Sequence, residues 1–490
     1  MKKIIVLGGG AAGWLSALFV KKIFPNIEVK LIESEKIGIL GAGEGSTPHL
    51  VNFLKFLNID IFNLIKETKG TIKHGINFEN WNGDNKKYFH GFISLNELNN
   101  FKIKNSFTHD CFDKYLLDCV SKGYDLNQYL YGSLLVDNKK VDTINEGFSL
   151  HFDAHKIANY LKKVAKKRGI IHYVGEFEFF DQDQNGNIIQ VNLEDKSNHS
   201  CDFIFDCTGF NRLIIGKTFN SRWIDYQEYL PMKKAVPFFL DQDEEIQPCT
   251  HAVAMKYGWM WKIPLQHRFG AGYIYDSDYI NEDEALLEAE NLLQRKLESP
   301  RVISFNAGRY EKVWIKNCIA VGLSAGFTEP LEATSLFITS QQLLFLLHFK
   351  ENLFDASDSL KESFNLTMGN SNDDILGFLY LHYLTKRNDS SFWINFKSNT
   401  KVPEKLKEKL FHLKEKNLIY TNFEPEKSFA SFSFLNYLVV SYGLNLLNNN
   451  NIKSIEGLEP TTSKYKSFML SKLNTQLYHR QFLENVSNNN

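Results

Sequence analysis

The chain of 490 residues has few cysteines, almost no net charge and no long apolar run. Its six cysteines are scattered and include no CxxC pair, so they indicate neither a zinc site nor a disulfide framework. The formal net charge is −1, which offers no electrostatic basis for binding nucleic acid or a membrane surface. No stretch reaches the ~18 apolar residues of a membrane span. Glycines interrupt the apolar start too early for a signal peptide. We therefore expect a cytoplasmic protein without a membrane segment.

Aromatic residues, by contrast, are abundant. They make up 14% of the chain and include 40 phenylalanines, which suits large packed interiors or an aromatic-lined cavity. The length exceeds one ordinary core, so we expect two or three packed units. The pattern predicts a helix that ends at Gly169, a hairpin that turns at Asn185-Gly186, and mostly helix after about residue 350.

A glycine pattern near the start predicts a dinucleotide site. The segment "KKIIVLGGGAAGW" reads as a buried strand, a glycine turn and a helix, and a second strand ends near Glu33. In this G-x-G-x-x-G pattern the first glycine permits the turn, the second lets the backbone approach a pyrophosphate, and the third lets the helix close on the strand. Glu33 can accept hydrogen bonds from ribose hydroxyls. A glycine turn without a ligand is the alternative. The predicted cofactor contacts are Gly8, Gly10, Ala11, Ala12, Gly13 and Glu33.

Two later segments favour FAD over a nicotinamide cofactor. "DCTG" at 206–209 resembles the second glycine-ended strand of flavoprotein monooxygenases, and residues 317–340 resemble the strand, loop and helix with which those enzymes return to the flavin. This resemblance adds Gly209, Gly322 and Leu323 to the cofactor contacts. Flavin hydroxylases usually carry Gly-Asp where this chain reads Gly322-Leu323.

Two further patterns admit a functional interpretation that we do not favour. "GLSAG" at 322–326 matches a hydrolase nucleophile elbow centred on Ser324, but no Asp/Glu and His pair stands out after it. "HFDAH" places His151 and His155 four residues apart, as in a metal pair, but it lacks the HExxH glutamate and a third ligand. A helix capped by Asp153 is the better interpretation, and we expect no metal site.

Five segments together resemble the flavin-dependent halogenases of the tryptophan-halogenase type. They are "GGGAAGW" (8–14), "GAGEGSTPHL" (41–50), "TIKHGINFENW" (71–81), "GWMWKIP" (258–264) and "GFTEPLEATS" (326–335). "HFDAHKIANYL" and "LHYLTKR" are also similar to family segments. The resemblance spans residues 1 to about 395 and brings Gly43 and Gly45 into the set of predicted cofactor contacts.

The resemblance implies an α/β (α+β) fold. It predicts a Rossmann-like, FAD-binding module of the monooxygenase type at 1–345, interleaved with substrate-sheet segments at about 70–150 and 215–300. A mainly helical region at 346–490 would cover the substrate. A separate NAD(P)H-dependent flavin reductase would supply reduced FAD, because the chain shows no NAD(P)H module. Dioxygen and halide would then yield a hypohalous acid that halogenates a small aromatic substrate.

In such enzymes a lysine that matches Lys73 receives the hypohalous acid. It either donates a hydrogen bond as an ammonium or forms a haloamine as a neutral amine, and the residues do not choose between these routes. The glutamate that matches Glu332 orients the electrophile or takes the proton that the ring loses. Glu329 is the competing carboxylate, and a helix-initiating role is the alternative for Glu332.

The halide would bind the backbone N–H groups of Thr334 and Ser335, in the first turn of a helix. The family pattern typically reads Ser-Thr-Gly where this chain has Ala333-Thr334-Ser335, so chloride, bromide and iodide all stay open. Trp259 and Trp261 lie two residues apart, so their rings would share one face of a strand. With Pro264 they would form a wall between flavin and substrate, although plain core packing is the alternative.

Two rival functions stay open at this stage. One is an FAD-dependent aromatic hydroxylase, against which the "GWMWKIP" segment argues. The other is a flavin-binding sensor or scaffold without chemistry, which the presence of Lys73 and Glu332 disfavours. The sequence does not identify the aromatic substrate, which we expect to be indole-like or phenol-like, free or carrier-bound. The segment 432–443 suits either a pocket lining or a core helix. The oligomeric state, including a homo-oligomer, is not readable.

Overall fold

The computed structural model describes residues 1–37, 43–92, 111–144, 147–241, 244–297, 301–399, 401–415, 432–447 and 459–488. The strands within these ranges are β1 (Lys3–Leu7), β2 (Glu28–Glu33), β3 (Glu44–Gly45), β4 (Thr71–Lys73), β5 (Gly75–Glu79), β6 (Lys87–Gly91), β7 (Lys140–Val141), β8 (Ser149–Phe152), β9 (Ile171–Val174), β10 (Phe177–Gln182), β11 (Ile188–Leu193), β12 (Asn198–Ser200), β13 (Phe203–Asp206), β14 (Trp223–Asp225), β15 (Lys234–Leu240), β16 (Thr250–Ala254), β17 (Gly258–Pro264), β18 (Phe269–Tyr275), β19 (Ile303–Ser304), β20 (Gly308–Tyr310), β21 (Trp314–Ile315), β22 (Cys318–Ala320), β23 (Gly326–Phe327) and β24 (Leu477–Tyr478).

The α-helices in the same ranges are α1 (Ala11–Ile23), α2 (Pro48–Phe56), α3 (Ile61–Thr68), α4 (Cys111–Ser121), α5 (Tyr131–Asp137), α6 (Ala154–Lys167), α7 (Glu282–Leu293), α8 (Thr334–Leu346), α9 (Asp358–His382), α10 (Ser391–Asn399), α11 (Glu404–Glu415), α12 (Phe434–Gly443), α13 (Glu459–Asn474) and α14 (His479–Asn488). Short 3-10 turns occupy Leu126–Gln128, Gly209–Asn211, Gly322–Ser324, Pro330–Glu332 and Leu347–Asn352, and a π-helical turn occupies Leu213–Thr218.

A six-stranded sheet carries the predicted dinucleotide site. Its order is β21-β22-β13-β1-β2-β9, and the five strands from β22 to β9 run parallel. The buried apolar run of β1 places this strand at the centre, as expected for a strand covered on both faces. Parallel strands end at one edge, so the loops that follow β1, β13 and β22 converge there. The predicted βαβ unit is confirmed.

The hairpin at Asn185-Gly186 is also confirmed, because β10 and β11 pair antiparallel around it. The residues between Gly169 and the first strand of this hairpin form a separate strand. Ile171–Val174 form β9, which pairs in parallel with β2 at the edge of the six-stranded sheet. The side chains of β9 are exposed or half-buried, so its backbone pairing with β2 defines its place in the sheet, which local sequence does not reveal.

A seven-stranded sheet contains the strand of the predicted tryptophan wall. Its order is β19-β15-β18-β17-β16-β5-β6, so the strand that contains "GWMWKIP" is interior and paired on both sides. A third, small sheet of order β3-β8-β4 carries Lys73 at the end of β4, opposite Ser149. The β5 strand follows β4 after one residue, so the chain passes directly from the small sheet to the seven-stranded one.

Helix α6 bears out the expected capping. The Asp153 side chain accepts hydrogen bonds from the backbone N–H groups of His155 and Lys156, and Gly169 follows the helix with φ +77°. His151 lies on β8 and is buried, whereas His155 is exposed on the helix. The two histidines are therefore not neighbours on one helical face, as a metal pair would require.

The described residues after 346 are mainly helical and pack into the same interior as the seven-stranded sheet. Residues of α9, α10 and α12 join β5 and β17 in one apolar cluster. The segment 432–443 is thus a core helix with the turn before it, and Phe432 stacks on Phe378 with ring centroids 3.8 Å apart. In the described part of the chain, no helix is both long and apolar enough to cross a bilayer.

The last helix reaches back to the strand of Lys73. His479, at the start of α14, is buried; its Nε2 accepts a hydrogen bond from the Ile72 N–H at 3.0 Å, and its Nδ1 lies 3.1 Å from the Ile246 carbonyl. Burial lowers the pKa of His479 to about 3, so the ring is neutral and donates through Nδ1. One side chain thus satisfies two buried backbone groups, one of them adjacent to Lys73.

We expect His479→Leu to destabilise the protein, because it leaves a buried N–H and a buried carbonyl unpaired. Each such group costs about 1–3 kcal/mol, so the midpoint of thermal unfolding should fall clearly. Differential scanning calorimetry measures it. The matched control is His155→Leu at an exposed position, which should change stability by no more than about 0.5 kcal/mol. Equal midpoints for the two variants would contradict the interpretation.

Candidate active site

The turn after β1 forms a cradle with free backbone donors. Gly8 has φ +119°, and a Cβ there would lie 2.1 Å from the carbonyl oxygen of Cys207. A Cβ at Gly13 would lie 2.0 Å from the carbonyl oxygen of Gly8, so α1 packs closely on the turn. Gly10, the N-cap of α1, has nothing within 4 Å of its Cβ position and no side-chain cap. The first N–H groups of α1, including those of Ala11 and Ala12, are thus available to an anionic ligand.

The loops after β13 and β22 close on this cradle. A Cβ at Gly322 would lie 2.8 Å from the Cβ of Ala12, so this glycine permits the contact with α1. Ser324 is buried and donates a hydrogen bond to the carbonyl of Gly209 at 3.4 Å. The Ser324 hydroxyl therefore joins two loops, which is a structural role. Leu323 is half-buried beside it.

Glu33 stands at the end of β2, next to the glycine turn. Its Oε1 accepts hydrogen bonds from Lys162 Nζ and His172 Nε2, both at 2.7 Å. Its Oε2 lies over Gly9, where a Cβ would be only 1.7 Å away. Open donors at a helix N-terminus and a carboxylate 20 residues beyond Gly13 fit the diphosphate and ribose of FAD.

Lys73 is completely buried. Its Nζ donates to the carbonyl of Ser46 at 3.1 Å and lies 5.3 Å from the ring centroid of Phe92. The Cβ position of Gly45 is 3.3 Å from both Lys73 Nζ and Thr250 Oγ1, so these groups share one small volume. Burial lowers the pKa of Lys73 to about 8, against the opposing charges of Glu332 and Cys249.

Glu332 ends the short turn before α8 and is 4% exposed. Its Oε1 accepts hydrogen bonds from His90 Nδ1 at 2.8 Å and His382 Nε2 at 2.9 Å. Burial on its own would raise the pKa of this carboxyl, but the interactions with the two histidines outweigh burial and hold the pKa at about 2. Glu332 is therefore a carboxylate at every physiological pH.

Glu329, three positions earlier, has different surroundings. Its Oε2 accepts hydrogen bonds from Trp259 Nε1 at 3.1 Å and from the Tyr383 hydroxyl. Its Oε1 is buried and has no partner among the described residues. Burial raises the pKa of Glu329 to about 7. Of the two carboxyls, Glu332 is the one whose charge acts on Lys73.

The tryptophan pair lies as its spacing predicts. The rings of Trp259 and Trp261 have centroids 6.4 Å apart at 63°, so both project from one face of β17. Trp259 is buried, and the ring of Trp261 covers Gly272, where a Cβ would lie 2.1 Å from it. The carbonyl of Pro264 accepts a hydrogen bond from Thr71 Oγ1 at 2.6 Å, which joins this strand to the strand of Lys73.

The first turn of α8 follows Glu332 directly. Ala333, its N-cap, has φ +56° and makes no side-chain cap. Thr334 is buried, and its hydroxyl forms a hydrogen bond with the hydroxyl of Thr328 at 3.0 Å. The N–H groups of Thr334 and Ser335 are among those that a helix leaves unpaired in its first turn.

Gly43 and Gly45 lie against the seven-stranded sheet. The Cβ position of Gly43 is 3.3 Å from Gly270 Cα, and Gly45 lies beside Lys73. A contact between these glycines and FAD stays a prediction.

Three residues around Glu332 were missed by the sequence analysis. They are His90, His382 and Asn436, whose Nδ2 lies 2.9 Å from His90 Nε2. His382 belongs to the family-like segment "LHYLTKR", which was its one available signal. Contacts across 242 and 346 sequence positions leave no local pattern that could reveal His90 or Asn436.

Comparisons with known proteins cover most of the chain. A family model described as tryptophan halogenase matches residues 3–457. The chain is 33% identical over 425 residues to the tryptophan 7-halogenase KtzQ of Kutzneria sp. (strain 744), covering 80% of this chain and 78% of that protein. It is 32% identical to the tryptophan 6-halogenase SttH of Streptomyces toxytricini, covering 83% of each.

A solved structure shows the same fold. Xcc4156, a flavin-dependent halogenase from Xanthomonas campestris, superimposes with a TM-score of 0.86 at 26% identity and covers 99% of this chain and 98% of that one. The expected α/β fold with an FAD-binding module is confirmed. The family match, the curated relatives and this superposition lead to one conclusion: the chain belongs to the tryptophan halogenase family and is a flavin-dependent halogenase.

Proposed function

We propose that this enzyme halogenates an electron-rich aromatic small molecule, with reduced FAD, dioxygen and halide as co-reactants. In this proposal Lys73 receives the hypohalous acid and presents it to the substrate. One observation carries the proposal: a fully buried lysine and a buried, ionised glutamate interact electrostatically in the same interior. When bound in its reduced form, FAD supplies with dioxygen and halide the oxidising equivalent for a hypohalous acid. A separate NAD(P)H-dependent flavin reductase delivers that reduced flavin.

The cradle after β1 binds the cofactor through its backbone. The N–H groups at the start of α1 bind the diphosphate, and Oε2 of Glu33 accepts from the ribose hydroxyls. Gly209, Gly322 and Leu323 close the site from the neighbouring loops, and Gly43 and Gly45 approach the flavin end. The open space in front of Gly10 and the close packing of Gly322 on Ala12 support these assignments.

Halide binds the N–H groups of Thr334 and Ser335, while Trp259, Trp261 and Pro264 form the wall that keeps the aromatic substrate away from the flavin. A small hypohalous acid can pass such a wall and a ring cannot, so halogenation replaces hydroxylation. The shared face of the two tryptophans supports this role.

Lys73 and Glu332 then carry out the transfer. With a pKa of about 8, roughly nine-tenths of Lys73 is ammonium at pH 7. We assign it the hydrogen-bond route: the ammonium donates to the oxygen of the hypohalous acid and polarises the O–X bond. The C–X bond forms as the O–X bond breaks, the leaving hydroxide takes a proton from the Lys73 ammonium and departs as water, and Glu332 takes the ring proton. The relatives are named for tryptophan, so indole is the first substrate class to test.

A mass-spectrometric assay tests the reaction. The protein is incubated with FAD, NADH, a generic flavin reductase and indole, with chloride, bromide or iodide in turn. We expect a halogen mass shift that Lys73→Ala reduces by at least about 100-fold, the usual effect of removing one preorganised donor. The control is Lys55→Ala, an exposed lysine on α2. A hydroxylated product that forms without halide would instead establish the hydroxylase alternative.

The pH dependence distinguishes the two routes for Lys73. If the ammonium is the active form, the yield of halogenated product per reduced flavin consumed falls as pH rises through about 8, the pKa of Lys73. Lys73→Arg stays cationic throughout, so any activity that this variant retains should not fall there. The yield is measured in single turnovers from pH 6 to 10. A yield that rises through pH 8 would favour the haloamine route.

Halide choice should follow from the first turn of α8. Ala333 lacks the hydroxyl of the typical family residue, so we expect the less strongly hydrated bromide to outcompete chloride at equal concentration. The double variant Ala333→Ser, Ser335→Gly restores the family pattern and should shift the product ratio towards chloride. Competition assays with both halides give this ratio directly, and an unchanged ratio would remove these positions from halide selection.

A further inference from the structure

Hydrogen-bond partners define the charge of His382. Its Nδ1 lies 3.0 Å from the carbonyl oxygen of Phe378, and its Nε2 lies 2.9 Å from Oε1 of Glu332. A carbonyl oxygen and a carboxylate oxygen can only accept, so both ring nitrogens must carry hydrogens. The ring is then an imidazolium, buried with no exposed surface.

The same reasoning makes His90 neutral. Oδ1 of Asn436 accepts from the backbone N–H of Ser433 at 2.8 Å and from its hydroxyl at 3.0 Å, in the capping box of α12. This contact orients the amide so that Nδ2 points at His90 Nε2, 2.9 Å away. The amide nitrogen donates, so Nε2 accepts, and the one ring hydrogen is on Nδ1, which donates to Glu332.

Glu329 and Glu332 show how the charge of the hydrogen-bond donors affects a buried carboxyl. Glu329 and Glu332 are both buried and each accepts two hydrogen bonds on one oxygen. The donors to Glu329 are neutral, and burial raises its pKa to about 7. Glu332 has an imidazolium among its donors, and its pKa is held at about 2. The other titratable groups that face Glu332 are Lys73 from β4 and Tyr88 from β6.

We propose that His382 is a positioning residue, a buried imidazolium that keeps Glu332 ionised and leaves its second oxygen, Oε2, to take the ring proton. The inference rests on the proposed role of Glu332 in proton removal. Removing the charge of His382 leaves Glu332, like Glu329, with only neutral hydrogen-bond donors, although Lys73 still faces it. Burial then raises the pKa of this carboxyl, and a carboxyl that has taken up a proton can no longer accept one.

Packing holds His382 in this orientation. Its ring lies 4.8 Å from Phe78 and 6.1 Å from Trp81, and its Nδ1 is bound within its own helix. His90, from the opposite side, is held by Asn436. Glu332 is thus fixed between two immobile donors of different charge, which is why the two histidines make a matched pair of variants.

The test compares His382→Gln with His90→Gln. Glutamine keeps an N–H donor at each position but is neutral, so only the first substitution removes a charge. Infrared spectroscopy of the purified full chain at pH 7 reports protonated carboxyls through their C=O stretching band. We expect a new band in His382→Gln that disappears in the double variant with Glu332→Gln, and no new band in His90→Gln. A band in His90→Gln, or none in His382→Gln, would overturn the proposal.

The halogenation yield gives a second readout. A Glu332 pKa that rises from about 2 towards the value of about 7 at Glu329 makes the yield of His382→Gln, taken relative to the unsubstituted protein at the same pH, fall roughly tenfold from pH 8 to pH 6. A merely structural loss would lower the yield equally at both pH values. If Glu332→Gln itself halogenates normally, the proposed role of Glu332 fails, while the infrared result still decides the charge of His382.

A direct measurement covers the case in which His382→Gln does not fold. Nitrogen-15 spectra of the unsubstituted protein, labelled at histidine, distinguish an imidazolium from either neutral tautomer. We expect an imidazolium at pH 8 that is assigned to His382, in addition to that of His251, whose pKa is raised to about 10 beside Cys249 and Glu79, and a neutral ring for His90. A neutral His382 at that pH would overturn the proposal without any substitution.

Discussion

A buried charge is costly unless its neighbours supply hydrogen bonds or an opposite charge, and this constraint shapes the interior of the enzyme. Lys73 and Glu332 are both removed from water, and each is held by groups from other elements. The carbonyl of Ser46 accepts from Lys73, and two histidines donate to Glu332. If one of these partners is lost, the charged group that it stabilised bears the full free-energy cost of burial. The stability of the site therefore depends on these partners.

The fold meets this requirement by placing the site where several layers meet. The six-stranded sheet ends at the glycine cradle, the small sheet carries Lys73, and the interior strand β17 carries the tryptophan pair. Helix α9 supplies His382, and α12 supplies Asn436. The C-terminal α14 completes the arrangement by satisfying the backbone beside Lys73. Helices whose sequences suggest only core packing therefore hold Glu332 and the strand of Lys73 in place.

Proximity in sequence is a poor guide to chemistry here. Glu329 and Glu332 lie in one short loop, yet one has a raised pKa and the other a lowered one, because their donors differ in charge. The sequence motif left both carboxyls as candidates for the same role, and the opposite pKa shifts distinguish them. The departure from the family pattern at Ala333 and Ser335 lies next to the same glutamate, so the proposed halide site is adjacent to the proposed proton acceptor.

Local rules were enough for several features. The glycine turn, the cap at Asp153, the hairpin at Asn185-Gly186 and the shared face of Trp259 and Trp261 depend on backbone geometry over a few residues. The tertiary structure alone decided the parallel pairing of β9 with β2 and the grouping of His90, His382 and Asn436 around Glu332. It also decided the pKa values of Lys73 and Glu332. Desolvation and charge depend on everything within a few ångströms, and here those neighbours come from β3, β6, β16, α9 and α12, which no local sequence pattern connects.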